Sequence, residues 1–264
     1  MVKQRLKSMA QCLADTRVVR SFVANLVYPT INRCLQAEFQ PDIRSASGLA
    51  EAIAWKSHAY LVFEEELRPT GKDCSEERMR CDSETRSRIL QTVLERTADI
   101  EGDVLEFGVY NGESLLTFAD LCSTRKVFGF DSFEGLPDGW WTRPKGAFRN
   151  TVPIPERPNL TLVRGLFDDS LPKFLEEWPN RAAIIHVDCD LYESTLSCLM
   201  PILPRCQIGC VLLFDEYYNY CDFAQHEWLA WRKVRSTYGV VARCIAYDGR
   251  RAAFQITHVE RSGT

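Results

Sequence analysis

Two short acidic strings are the residues of this 264-residue chain best suited to chemistry: His186-Val187-Asp188-Cys189-Asp190 and Phe214-Asp215-Glu216. Each closes an apolar run, at 183–187 and 210–214, with the length and composition of a buried strand. Neighbouring strands lie about 4.8 Å apart. If these two strands pair, Asp188 and Asp215 meet at the carboxyl edge of a sheet, where open α/β sheets hold their ligands. Carboxylates gathered there repel one another unless a cation sits between them. Oxygen donors suit Mg²⁺, Ca²⁺ or Mn²⁺ better than zinc. The plainer alternative is a set of solvated strand ends or helix caps.

A second cluster lies upstream. Glu106-Phe107-Gly108-Val109-Tyr110-Asn111-Gly112-Glu113-Ser114 follows an apolar run at 104–107 and opens a helix. Nucleotide-like ligands sit at this place in an α/β sheet. The turn is not G-x-G-x-x-G, because Gly108 and Gly112 are four apart and the third glycine is missing. Glu106 and Glu113 flank it, repelling a pyrophosphate and attracting a ligand with an ammonium group. S-adenosylmethionine (SAM) is such a ligand; a plain strand–helix turn is the alternative. Asp131 ends the next apolar run, 25 residues after Glu106. An acid there can accept hydrogen bonds from ribose hydroxyls, which SAM and NAD both carry.

Other catalytic patterns fail. GxxxxGK[ST] and GxSxG are absent, and His226-Glu227 begins an HExxH that Ala230 breaks. His186, inside an apolar strand, reads as a satisfied core histidine, whereas His226 follows the acidic edge and is a second catalytic candidate. The segment 138–158 carries Trp140, Trp141, Arg143, Phe148, Arg149 and Pro153. It is long for a simple connection, and forms either a lid or substrate loop or a surface excursion.

The elements that must position these residues follow from periodicity. Strands are expected at 104–107, 127–130, 160–163, 183–187, 210–214, 240–246 and 252–256, the last two flanking the hairpin signal Asp248-Gly249. Helices alternate with them at 114–121, 171–178, 192–203 and 223–237. This is an α/β, doubly wound, mostly parallel sheet with an antiparallel hairpin at its edge. Before residue 103 only helical patterns occur, including one at 48–67 and one from Ser83. A helical N-terminal extension or lid (1–84) therefore precedes the catalytic domain (85–264).

Composition narrows the class. Hydrophobic residues are 45% and charged residues 26%, which excludes disorder, and a net charge of −4 argues against a nucleic-acid partner. No apolar run reaches the roughly 18–20 residues of a membrane span. The 11 cysteines include no CxxC pair, so reduced core thiols and a cytoplasmic location are expected. Residues 1–35 carry six Lys/Arg and one Asp. A basic helix there meets a partner, a second copy or a membrane surface, and a homo-oligomer is expected.

Five strings now occur in order: Glu106-Phe107-Gly108-Val109; Gly129-Phe130-Asp131-Ser132-Phe133-Glu134-Gly135-Leu136-Pro137; Gly165-Leu166-Phe167-Asp168-Asp169-Ser170-Leu171-Pro172; His186 through Thr195; and Phe214-Asp215-Glu216-Tyr217. Over residues 85–257 the chain resembles the macrocin O-methyltransferase family of class I SAM-dependent methyltransferases, which act on sugars of natural products. The resemblance implies a seven-stranded Rossmann-like sheet, SAM as donor, Mg²⁺ as cofactor and a small-molecule acceptor. It implies a SAM site from Glu106, Phe107, Gly108, Tyr110, Gly112, Ser114, Asp131, Ser132, Phe133, Gly165, Phe167, Asp168 and Asp188. Asp188, Asp215 and Glu216 would hold the metal, and Asp190 would be the general base. One departure stands out: the family commonly reads Asp-Asp where this chain has Asp215-Glu216. A metal-independent N- or C-methyltransferase, a nicotinamide oxidoreductase and a catalytically silent SAM-binding scaffold are the competing readings.

Overall fold

The computed structural model describes residues 58–59, 61–67, 83–220 and 222–259, within one compact unit, Trp55–Thr264. The basic helix expected in 1–35 lies outside the described residues, as does most of the expected N-terminal extension. The end of the helix expected at 48–67 is present and closes in a π turn, Phe63–Leu67. Helix α1, Ser83–Thr97, follows. Among the described residues, no helix is long and apolar enough to cross a membrane.

Seven strands form one sheet: β1 (Asp103–Phe107), β2 (Val127–Asp131), β3 (Leu160–Arg164), β4 (Ala182–Val187), β5 (Cys206–Phe214), β6 (Val240–Tyr247) and β7 (Ala252–Val259). Their order is β3-β2-β1-β4-β5-β7-β6. β1 to β5 are mutually parallel, and β7 runs antiparallel between β5 and β6. The hairpin is thus not a simple antiparallel edge: its second strand inserts beside β5, and β6 becomes the outer one. This carries the turn at Asp248 to the carboxyl end of β5, where the acidic strings lie.

Helices α2 (Glu113–Leu121), α3 (Phe167–Glu177), α4 (Tyr192–Ile202) and α5 (Glu227–Tyr238) connect the strands. Both faces of the sheet are covered, so the central strands β1 and β4 are buried at every position. Successive side chains enter opposite cores. Leu105, Phe107, Ile185, Val187, Leu212 and Phe214 point into one, and Val104, Ile184, Val211 and Leu213 into the other. Glu106 and His186 interrupt the second core as register partners on adjacent strands. They satisfy each other, with His186 Nδ1 2.9 Å from Glu106 Oε2, and Ser114 Oγ donates to Glu106 Oε1 at 3.0 Å.

Gly108 is where β1 passes closest to β4. Its φ is 90°, and a Cβ there would lie 1.8 Å from the Asp188 carbonyl oxygen. Only glycine lets these two strand ends lie so close. The described cysteines are free: Cys122, Cys189, Cys198, Cys206 and Cys210 are buried and Cys244 half-buried. They act as the small core residues their apolar settings predict.

Candidate functional site

A cavity of about 460 Å³ opens at the carboxyl ends of β1, β2, β4 and β5. That volume suits a small organic ligand. One arm is walled by Gly108, Val109, Tyr110, Asp131, Ser132 and Gly165–Asp168, the other by Asp188, Cys189, Asp190, Asp215 and Glu216, and α4 adds Glu193, Ser194 and Ser197. Of the residues expected around a donor ligand, Gly108, Tyr110, Asp131, Ser132, Gly165, Phe167, Asp168 and Asp188 are on this wall. Glu106, Phe107, Gly112, Ser114 and Phe133 are not. Glu106 and Phe107 lie fully buried in the sheet, Ser114 bonds Glu106, and Phe133 is buried beneath the Arg164 guanidinium.

Asp131 shapes the first turn directly. Its Oδ2 accepts from the backbone N–H groups of Val109 (2.8 Å) and Tyr110 (2.9 Å), and its Oδ1 from that of Phe133 (2.7 Å). The segment expected to be a lid or a surface excursion forms the cavity's lip, through Gly135, Leu136, Pro137, Trp140 and Phe148. Two-way hydrogen bonds between the backbones of Trp140 and Arg143 tighten it. Phe148 meets Tyr110 edge-on at 5.6 Å. Tyr110, Phe133, Trp141, Phe148 and Asp190 all hold positive φ. Bulky residues are rarely held in that region, and such strain gathers at functional sites.

The acidic floor follows from strand register. Val187 pairs with Phe214, so Asp188 and Asp215 leave the sheet side by side. His186, Asp188 and Asp215 each bring one ligand atom within 4.8 Å of the others. His186 thus stands where Glu216 was expected in the closest trio, with Nε2 3.8 Å from Asp215 Oδ1. Two arginines from the hairpin turn neutralise part of the floor. Arg251 Nε donates to Asp215 Oδ1 at 2.7 Å, and Arg250 Nη1 to Glu216 Oε1 at 2.8 Å. Glu216 Oε2 is buried without a hydrogen-bond partner among the described residues.

The floor still carries more acid than base, and its proton affinities show it. Burial and the Asp215 charge raise the Asp188 carboxyl to about 7. Burial, against the pull of Arg250, raises Glu216 to about 8. Burial and the charges of Asp188, Glu216 and Asp215 push Asp190 well above the carboxylate range. Burial would lower His186, but the carboxylates of Asp215 and Glu106 on either side lift it to about 10. Burial would raise Asp215; His186 and Arg251 outweigh it and hold it below the ordinary carboxylate value. His226, the second catalytic candidate, is off the wall. It begins the turn into α5, stacks on Tyr220 at 6.5 Å, and its pKa is lowered by burial.

Sequence reasoning missed Arg250, Arg251 and Glu227. The two arginines follow the recognised turn Asp248-Gly249, but only the insertion of β7 beside β5 brings that turn to the acidic edge. Glu227 was visible merely as part of a broken HExxH.

A family model of the methyltransferase domain matches residues 105–217, and one of macrocin-O-methyltransferase matches residues 33–152. Among curated proteins, the chain is 29% identical over 180 residues to the 8-demethyl-8-(2,3-dimethoxy-alpha-L-rhamnosyl)-tetracenomycin-C 4'-O-methyltransferase of Streptomyces olivaceus, covering 57% of this chain and 64% of that protein. It is 25% identical over 190 residues to the demethyldecarbamoylnovobiocin O-methyltransferase of Streptomyces niveus, covering 61% and 71%. The chain thus matches less than two thirds of the length of the first of these relatives. Among solved structures, the calicheamicin methyltransferase CalS11 superposes with a TM-score of 0.57 at 23% identity, covering 83% of this chain and 98% of that one. The O-methyltransferase NovP superposes with a TM-score of 0.51 at 23% identity, covering 80% and 100%. The class I methyltransferase fold and the resemblance to macrocin O-methyltransferases, both expected from the sequence, are borne out.

Proposed function

We propose that this chain, a class I methyltransferase domain related to the macrocin O-methyltransferases, transfers a methyl group from SAM to a hydroxyl of a small natural-product acceptor, sugar- or polyol-like, with the help of a divalent cation. The observation that carries this reading is one cavity in which a donor arm (Gly108–Tyr110, Asp131, Ser132, Asp168) runs into a carboxylate floor (Asp188, Asp190, Asp215, Glu216).

The residues fit both absent groups. The donor arm is acidic and hydroxylated, matching an ammonium group and ribose hydroxyls. On the floor, four acids face two arginines and His186, and Glu216 Oε2 is a buried acceptor without a donor among the described residues. Asp188, Asp215 and Glu216 would hold the cation, with His186 fixed behind them by Glu106 and not available as a base. When bound, SAM supplies an electrophilic methyl on a sulfonium, and the cation lowers the pKa of an acceptor hydroxyl. Asp190 is the group placed to take that hydroxyl's proton. Burial, and after it the charges of Asp188, Glu216 and Asp215, drive its carboxyl up, so neutralising those three would remove part of the shift and favour the carboxylate that accepts the proton. Trp140 and Phe148 line the lip of the cavity, where a bound acceptor would pack against their rings.

A second reading has one observation in its favour. Arg250 and Arg251 already supply two positive charges to the carboxylates a metal would need, as a metal-independent methyltransferase would. Methyl transfer to a panel of hydroxylated glycosides, followed by mass spectrometry with Mg²⁺ or with EDTA, separates the two. Product that requires Mg²⁺ supports the cation-assisted reading. Equal product in EDTA transfers the role to the arginines, and methylation of an amine in place of a hydroxyl overturns the O-methyltransferase assignment.

A further inference from the structure

Glu227 is fully buried and takes no part in the chemistry above. It opens α5, yet its carboxylate reaches both acidic loops. Oε1 accepts from the backbone N–H of Asp190 and Oε2 from that of Glu216, each at 3.2 Å. One planar group therefore spans the loop after β4 and the loop after β5. The geometry points to Glu227 as a positioning residue that sets the spacing between the Asp190 carboxyl and the Glu216 carboxyl, and with it the cation affinity of the floor. This inference rests on the cation-assisted reading.

Three features support the assignment. Asp190 sits at φ 62°, a conformation uncommon for residues with a side chain, though aspartate adopts it more readily than most. The bond from its N–H to Glu227 ties the loop in that conformation. Next, only a carboxylate offers two acceptors in one plane; glutamine offers one, and would set its amide N–H₂ against a backbone donor. Finally, a fully buried acid that touches the loops of Asp190 and Glu216 is a poor choice for packing alone, since burying a polar group costs free energy that only its hydrogen bonds offset. An apolar side chain of similar size would suit a purely structural role better.

The test uses the full chain as wild type, Glu227→Gln and Glu227→Leu. Mn²⁺ binding is followed by electron paramagnetic resonance, S-adenosylhomocysteine binding by calorimetry, and folding by thermal unfolding. The donor arm is built from other elements, so the homocysteine product should bind within about twofold of wild type in both variants. Mn²⁺ affinity should fall about tenfold in Glu227→Gln and further in Glu227→Leu, in the range seen when groups orienting metal ligands are removed. The Tm should fall in Glu227→Leu, which leaves the backbone N–H groups of Asp190 and Glu216 without their acceptor, while product binding is retained. Folded variants that bind Mn²⁺ like wild type overturn the inference and leave the cation reading intact. Joint loss of both ligands with a lowered Tm overturns it in favour of a structural role. Wild-type protein that binds the product but no Mn²⁺ is a separate result, and overturns the cation reading together with this inference.

Discussion

Asp190 joins the acidic floor at a left-handed φ, with its carboxyl buried among three other acids and its backbone N–H tied to Glu227. Asparagine at 190 keeps the shape and removes the proton acceptor. Asp190→Asn should lower kcat by about 10²–10⁴-fold, the usual worth of a positioned general base, while product affinity measured by calorimetry stays at the wild-type value. A variant that retains full turnover would remove Asp190 from the mechanism. Much at this scale was legible in advance: Asp188, Asp190, Asp215, Gly108 and Asp131 stand where strand-end reasoning puts them. Glu106 shows why some of the rest was not. A glutamate at the end of a strand looks like a ligand contact, but the side chain alternates into the second core, where Ser114 and His186 satisfy it. Strand parity decides such a residue, and parity depends on which residue begins the strand.

The elements act through two close approaches, one at Gly108 and one at the β6–β7 hairpin. Gly108→Ala places a methyl against the Asp188 carbonyl at a φ that L-residues resist. It should cost about 4 kcal/mol or more, near the top of the range for single substitutions, or abolish folding, and denaturant unfolding would show it. At the hairpin, Asp248 Oδ1 accepts from the N–H groups of Arg250 and Arg251, and Tyr217 and Tyr218 N–H donate to the Arg250 carbonyl. The turn is therefore stitched to the strand end that carries Asp215 and Glu216. Arg251→Met would leave Asp215 and Asp248 short of a partner and should destabilise the fold by about 3 kcal/mol, the order expected when one side of a buried pair is removed. Added Mg²⁺ should recover part of the lost Tm in this variant, because it replaces a missing positive charge. A Tm indifferent to Mg²⁺ in Arg251→Met would mean that the floor does not hold the cation. The helices and strands themselves were readable from periodicity. The insertion of β7 between β5 and β6 was not, since a hairpin signal says that two strands pair and nothing of which one meets β5.

For the molecule as a whole, the buried acids make stability depend on pH and on cations together. His186 is raised from 6.5 to about 10, so the stability it contributes is complete below its unfolded value and is lost as pH climbs through about 10. Asp188 and Glu216, raised to about 7 and about 8, keep protons that the unfolded chain has shed, so they too cost stability as pH rises toward those values. Asp215 shifts the other way, but its contribution is lost only in acid. In EDTA the Tm should therefore fall from about pH 6 to about pH 9, and saturating Mg²⁺ should flatten that fall. A Tm that rises over this interval without metal would contradict the charge balance described for the floor. The central claim is that one cavity joins a SAM arm to a cation-binding floor, and one calorimetric series tests it most directly. S-adenosylhomocysteine is titrated into the wild-type chain in EDTA, and Mg²⁺ with a hydroxylated glycoside is then added to the product complex, in wild type and in Asp188→Ala. The account predicts micromolar product binding without metal, and Mg²⁺-dependent acceptor heat in wild type that disappears in Asp188→Ala. Absence of product binding, or acceptor heat unchanged by EDTA and by Asp188→Ala, would contradict it.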